Sequence, residues 1–293
     1  MEEKIQEFLG YMVKVKGVSN NTVSSYRRDL VYMSKFFEQQ GILEVSKISS
    51  TNVNSYILFL EKEGKSPASI SRNISSMKTF YRYLINRGEI TSEPTENVCV
   101  PKVEKKVPGA ISVDIIEKLV KSPVGNDPKA LRDKAMLELL YATGMRVTEL
   151  ISLKVDDINL DMRFVVLHNT KKDRIIPFST KTKNTLVKYI TNGRDKLADD
   201  NTKELFVNCF GKSMSRQGFW KIIKDYAEMA GVNDKISPHT FRHSFGAHLV
   251  QNGADLRAVQ EMMGHVDMSS TNVYLQLAEK RLRDVYDKSH PNV

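Results

Sequence analysis

The apolar positions of the first hundred residues recur every three or four places, the period of a helix buried along one side. In "SNNTVSSYRRDLVYMSKFFEQQG" the stripe is Val23, Tyr26, Leu30, Met33, Phe36 and Phe37, with Asn20 or Asn21 placed to cap its start and Gly41 to stop it. A second helix is predicted over 51–62. "SPASISRNISSMKTFYRYLINRG" repeats the logic: Ser66 caps, Pro67 takes the first turn, and Ile70, Ile74, Met77, Tyr81 and Leu84 line the buried side before Gly88. Residues 1–88 are therefore predicted to form a helical bundle. "TSEPTENVCVPKVEKKVPG" carries three prolines and no period, so residues 89–108 are predicted to link two domains.

The second domain, 109–293, changes its period along the way. "DPKALRDKAMLELLYATG" reads as a helix from the cap Asp127 to the stop Gly144, whereas "RFVVLH" and "DRIIPF" read as two short strands joined through "NTKK". "ELFVN" is expected to add a third strand. From Ser215 the helical period returns, through "SRQGFWKIIKDYAEMAG", "SPHTFRHSFGAHLVQNG", "DLRAVQEMMG" and "SSTNVYLQLAEKRLRDVYDK". The predicted class is mainly α, a helical bundle followed by a mixed α/β domain with a small sheet.

Composition narrows the function. At 293 residues and 41% hydrophobic content the chain can bury two cores. No apolar run approaches the ~18 residues of a membrane span and the start is charged from its second residue, so neither a transmembrane helix nor a signal peptide is expected, and the expected compartment is the cytosol. Cys99 and Cys209 have no CxxC spacing, which argues against a disulfide framework or a thiolate zinc site. No glycine-rich phosphate loop occurs, so no nucleotide cofactor is expected. The net charge of +9 suits a polyanion, because clustered Lys and Arg displace counterions from phosphates. Arg27, Arg28, Arg72, Lys78 and Arg82, interleaved with Ser, Thr and Asn, suit a helical face laid along a nucleic-acid backbone. Arg72, Lys78 and Arg82 cannot all share one stripe, so a solvated face is the competing reading for each of them.

Candidate chemistry concentrates in "SPHTFRHSFGAHL", where His239, His243 and His248 surround Arg242. At about 100° per residue, Arg242 and His243 fall within roughly 60° of His239, whereas His248 points the opposite way. A metal site is disfavoured by the arginine, which repels a cation. Arginine beside histidine suits a phosphate instead: the guanidinium fork binds two oxygens and the imidazole exchanges or donates a proton.

Around this stretch, "ATGMRVTEL" (142–150), "HTFRH" (239–243), "MMGHVDMSST" (262–271) and "NVYLQL" (272–277) occur in an order and spacing that resemble the motif boxes of tyrosine recombinases. The resemblance spans the chain, and the size and the ending "EKRLRDVYDKSHP" are most similar to the Xer group. It implies a SAM-like, core-binding N-terminal bundle and a C-terminal catalytic domain that cuts DNA through a 3′-phosphotyrosyl link, without metal, ATP or other cofactor. Carried over, Arg146 and Arg242 clamp the nonbridging oxygens, His239 serves as acid or base, His265 donates to an oxygen, and Tyr274 is the nucleophile. Glu149 either orients the site or is a first-turn helix acid. Implied partners are a double-stranded recombination site, a homotetramer or a heterotetramer with a second recombinase, and a DNA translocase, with no membrane. The implied role is Xer-type resolution of chromosome or plasmid dimers through a Holliday junction in chromosome partition; an integrase of a mobile element and a DNA-binding relative with impaired catalysis are the alternatives.

One piece departs from the pattern. The family places a Gly-Lys pair at the hairpin tip, its lysine protonating the leaving 5′-oxygen, but here the stretch is "LHNTKKDRIIP". Lys171 is favoured for that role over Lys172, which is placed with the DNA-contacting residues, and His168 is a further candidate. Lys171→Ala and Lys172→Ala, compared on DNA with a 5′-sulfur leaving group, separate them: cleavage should be rescued only in the variant that lacks the acid, because sulfur leaves without protonation. Rescue of Lys172→Ala and not Lys171→Ala would reverse the assignment.

Overall fold

A computed structural model describes residues 1–98, 110–168, 173–232 and 236–264. The chain divides into two compact units, Met1–Lys106 and Val107–Val293.

In the first unit α1 (Glu2–Lys14), α2 (Asn20–Gln39), α3 (Ser50–Lys62) and α4 (Pro67–Asn86) pack around Phe8, Phe37, Tyr56, Phe80 and Tyr81, all fully buried. The cap of α2 is Ser19, not Asn20 or Asn21: its hydroxyl accepts from the Thr22 amide at 3.3 Å, which makes Asn20 the first helical residue. Ser66 caps α4 in the same way, with Pro67 following. Within the core, the Tyr56 hydroxyl donates to Asn73 Oδ1 at 3.1 Å, and Asn73 and Arg72 both donate to Asp29. Burial raises the Asp29 pKa despite the opposing Arg72 charge. Thr95 and Val98, in the stretch expected to act as a linker, are buried against this unit.

The second unit begins with α5 (Val113–Lys121) and α6 (Pro128–Thr143). Asp127 caps α6 by accepting from the amides of Lys129 and Ala130, and the helix ends on Gly144 in the left-handed region. After α7 (Val147–Ser152) comes an antiparallel sheet of β1 (Ile158–Asn159), β2 (Phe164–Leu167) and β3 (Arg174–Pro177), in the order β1-β2-β3, with Leu167 opposite Arg174. Next are α8 (Thr180–Asn192), α9 (Arg216–Met229), α10 (Pro238–Gln251) and α11 (Leu256–Met263). The helix expected over "SSTNVYLQLAEKRLRDVYDK" lies outside the described residues.

One strand differs from expectation. The third strand is β1, whereas "ELFVN" makes only the isolated bridges Lys154–Glu204 and Val207–Ser213. Leu205, Phe206 and Val207 are all buried, so this segment lacks the in-and-out alternation of a strand with one solvated face and fills the core instead. Arg132, buried on α6, holds it by donating to the Val207 carbonyl at 3.0 Å while pairing with Asp133 at 2.6 Å.

Helix α6 packs against α5, α8 and α10 and is buried on most of its circumference. Its C-terminal end sets the direction of the segment that leads into α7. Gly144 has φ +57°, and a Cβ there would enter the Phe245 ring of α10, with Cε1 2.7 Å away. Positive φ and close approach together require glycine. Gly144→Ala is expected to lower the unfolding free energy by about 3 kcal/mol in urea titrations; an unchanged midpoint would contradict the packing described.

Candidate active site

Helix α10 carries the His239–Arg242 pair. Ser237 caps it, accepting from the Thr240 amide, and Pro238 occupies the first turn. His239 is exposed at this start, whereas Arg242, one turn on, is only 7% exposed. A guanidinium buried so far needs acceptors. It donates to the carbonyls of Gly144 and Met263. His248, on the other side of α10, is buried and shares a 2.9 Å hydrogen bond with the Tyr141 hydroxyl; burial lowers its pKa. It belongs to the core, as its angular position predicts.

Arg146 reaches the same place from α7. Its Nη2 donates to the Gly264 carbonyl at 3.0 Å, and its Nη1 pairs with Glu149 at 3.1 Å. Arg146 and Arg242 are thus anchored on consecutive carbonyls, Gly264 and Met263, at the end of α11. The last carbonyls of a helix have no partner within it and carry the negative end of its dipole, so cations settle there. Residue 265 follows directly.

Glu149 organises the charge. Its Oε2 accepts from the Arg146 amide at 2.6 Å and from Arg174 Nη2 at 2.6 Å. Burial alone would raise its pKa, but the Arg174 hydrogen bond, the Arg146 amide and the two guanidinium charges outweigh it and hold the carboxyl below its ordinary value. Arg174 carries no sequence motif that marks it. The signal that exists is its place in "RIIP", on the same strand face as the buried Ile176 and with an 11% exposed side chain.

Among the other expected residues, His168 stands at the end of β2, with Nδ1 2.8 Å from Asp173 and Nε2 3.4 Å from Asp157; the Asp173 hydrogen bond raises its pKa. Lys171, Lys172, His265 and Tyr274 lie outside the described residues. In the first unit, Arg28 is exposed, and Arg27 is exposed with a 3.0 Å hydrogen bond to Gln6. The other three have protein partners: Arg72 pairs with Asp29 at 2.8 Å, Lys78 donates to the Val98 carbonyl at 3.1 Å, and Arg82 pairs with Glu93 at 3.4 Å. Among the described residues no helix is long and apolar enough to cross a membrane.

The mixed unit, with two arginines meeting at one helix end, and the separate helical unit have the architecture of a tyrosine recombinase. The chain belongs to the phage integrase family: the family model matches residues 111–281, and the phage integrase N-terminal SAM-like domain matches residues 5–88. It is accordingly a site-specific recombinase enzyme. It is similar along nearly its whole length to tyrosine recombinases XerD, 42% identical in Halalkalibacterium halodurans (99% of this chain, 98% of the relative) and 43% in Oceanobacillus iheyensis (99% of each). Solved structures share the fold. XerA recombinase matches with a TM-score of 0.56 at 26% identity, covering 100% of this chain and 99% of that one. XerH in its post-cleavage complex with difH DNA matches with a TM-score of 0.76 at 18% identity, covering 97% and 88%.

The lowered Glu149 pKa fixes the sign of a pH effect. The stabilisation is complete above the ordinary carboxyl value and is lost as pH falls through the lowered one. Glu149→Gln is expected to reduce the unfolding free energy by about 1–3 kcal/mol at pH 7, with the gap closing as pH falls through that lowered value. Urea titrations across that range check it, and a gap independent of pH would contradict the charged pairing.

Proposed function

We propose that this chain cuts and rejoins duplex DNA as an Xer-type recombinase, resolving chromosome or plasmid dimers during chromosome partition. The observation that carries the reading is the convergence of Arg146 and Arg242 on the carbonyls of Gly264 and Met263, immediately before His265. Two guanidiniums held at one point suit the nonbridging oxygens of a single phosphate, where a pentacoordinate transition state gathers negative charge.

In this reading Tyr274 Oη attacks the scissile phosphorus and the bond to O5′ breaks. The tyrosine proton passes to His239, and the leaving O5′ takes a proton from Lys171. The product is a 3′-phosphotyrosine and a free 5′-hydroxyl, and attack by a second 5′-hydroxyl reverses the step on the partner strand. The phosphate charge is shared by Arg146, Arg242 and His265. Arg27 and Arg28 are exposed cations of the first unit, without an ion pair to a carboxylate among the described residues, that suit backbone contact. Arg72, Lys78 and Arg82 would first have to leave their protein partners, and Lys172 belongs to the hairpin that meets the DNA. Strand exchange takes place in a tetramer on two sites, through a Holliday junction, either of this chain alone or with a second recombinase, with a DNA translocase as a further partner in a cytoplasmic, nucleoid-associated role. The roughly 40% identity to XerD proteins over nearly the whole chain favours this role over that of a mobile-element integrase.

A nicked suicide substrate tests the reading. Wild-type protein is expected to give a covalent protein–DNA band in denaturing gels and Tyr274→Phe none. Absence of the wild-type band, or its survival in Tyr274→Phe, would overturn the assignment.

A further inference from the structure

The site holds more positive charge than two phosphate-binding arginines need. Arg174, the first residue of β3, sits with its side chain 11% exposed against Glu149, and Glu149 is also the partner of Arg146. The carboxylate is divided between them. Oε1 faces Arg146 Nη1 at 3.1 Å, while Oε2 is held at 2.6 Å by Arg174 Nη2 and at 2.6 Å by the Arg146 amide. The Arg146 guanidinium therefore meets Glu149 through one oxygen only, and its Nη2 is left to the Gly264 carbonyl.

A carboxylate and a guanidinium prefer a two-bond, fork-to-fork pair when nothing prevents it. Arg174 prevents it together with the Arg146 amide, the two donors that occupy the second oxygen, and of these only Arg174 brings a full charge. Gly264 gives it the room: φ there is +60°, and a Cβ would overlap Arg174 Nη1, with Cζ 2.9 Å away. The guanidinium of Arg174 thus lies directly under the residue whose carbonyl anchors Arg146. The ion pair joins strand β3 to helix α7, and the Arg146–Gly264 hydrogen bond joins α7 to the end of α11.

We infer that Arg174 is a positioning residue for strand cleavage: by holding Glu149 Oε2 it keeps the carboxylate from closing on Arg146, so that Arg146 presents its charge to the scissile phosphate. The inference rests on the recombinase reading above. In this role Arg174 acts through Glu149, its partner at 2.6 Å. Without it, Glu149 turns both oxygens to Arg146, the guanidinium is neutralised and drawn off the Gly264 carbonyl, and the phosphorane loses part of its clamp.

The loss therefore depends on the charge of the substrate, which a merely structural defect does not. Full-length wild-type, Arg174→Gln and Arg174→Lys proteins are compared in single-turnover cleavage of two suicide substrates. One carries the ordinary phosphate at the scissile position. The other carries a methylphosphonate, which has one nonbridging oxygen replaced by an uncharged methyl. Arg174→Gln is expected to slow cleavage of the phosphate substrate about 10²-fold, the scale of losing one preorganised donor to developing charge. Its affinity for DNA should stay close to wild type, its thermal midpoint should fall no further than that of Glu149→Gln, and the loss of cleavage should shrink to less than about threefold on methylphosphonate, where less charge has to be met. Arg174→Lys keeps the cation and is expected to fall between wild type and Arg174→Gln. It also carries the comparison alone if Arg174→Gln does not fold. Equal losses on both substrates, or no loss on the phosphate, would overturn the inference. A wild-type protein that forms no covalent complex would instead overturn the recombinase reading, so the two failures are distinguishable.

Discussion

Binding one phosphate with two arginines requires like charges to be held together, and at 4 Å two such charges repel by about 4 kcal/mol for an effective dielectric near 20. Three guanidiniums gather at the end of α11: those of Arg146 and Arg242 on its carbonyls, and that of Arg174 against Gly264. What makes this tolerable is the carboxylate of Glu149 and the terminal carbonyls of a helix, which supply negative charge without adding a competing ligand for the phosphate. The rest of the catalytic unit is shaped by the need to bring these groups to one point.

Glycines at two helix ends meet that need. Gly144 turns the chain from α6 into the segment that carries Arg146, and offers its own carbonyl to Arg242. Gly264 ends α11, leaves room for Arg174, and offers its carbonyl to Arg146. At each position the left-handed backbone and the lack of a side chain serve the same contact. Helix α6, locked by the buried Arg132–Asp133 pair and by packing on α8 and α10, is the rigid body against which both arginines are set.

Much of this is legible in the sequence, for physical reasons. The helices α2, α3 and α4 of the first unit show because hydroxyl caps and terminal glycines act locally, with the starts of α2 and α3 falling within about two residues of their expected places. His239 and Arg242 can be paired from spacing alone because both ride one helix. The third strand misleads because "ELFVN" has strand-like residues but no solvated side, a property of its surroundings. Arg174 is hidden for a similar reason: its partner Glu149 lies 25 residues away, on another element. The protein partners of Arg72, Lys78 and Arg82 also come from other parts of the first unit, beyond the reach of a periodic pattern.

The central claim is that the two arginines anchored at the end of α11 form one phosphate clamp, facing Tyr274. The most direct measurement is a crystal structure of the protein on nicked DNA with vanadate in place of the scissile phosphate. Arg146 and Arg242 are each expected to donate to an equatorial oxygen at about 2.7–3.2 Å, with Tyr274 Oη at one apex. Either guanidinium turned away from the vanadate, or another side chain at the apex, would contradict the claim.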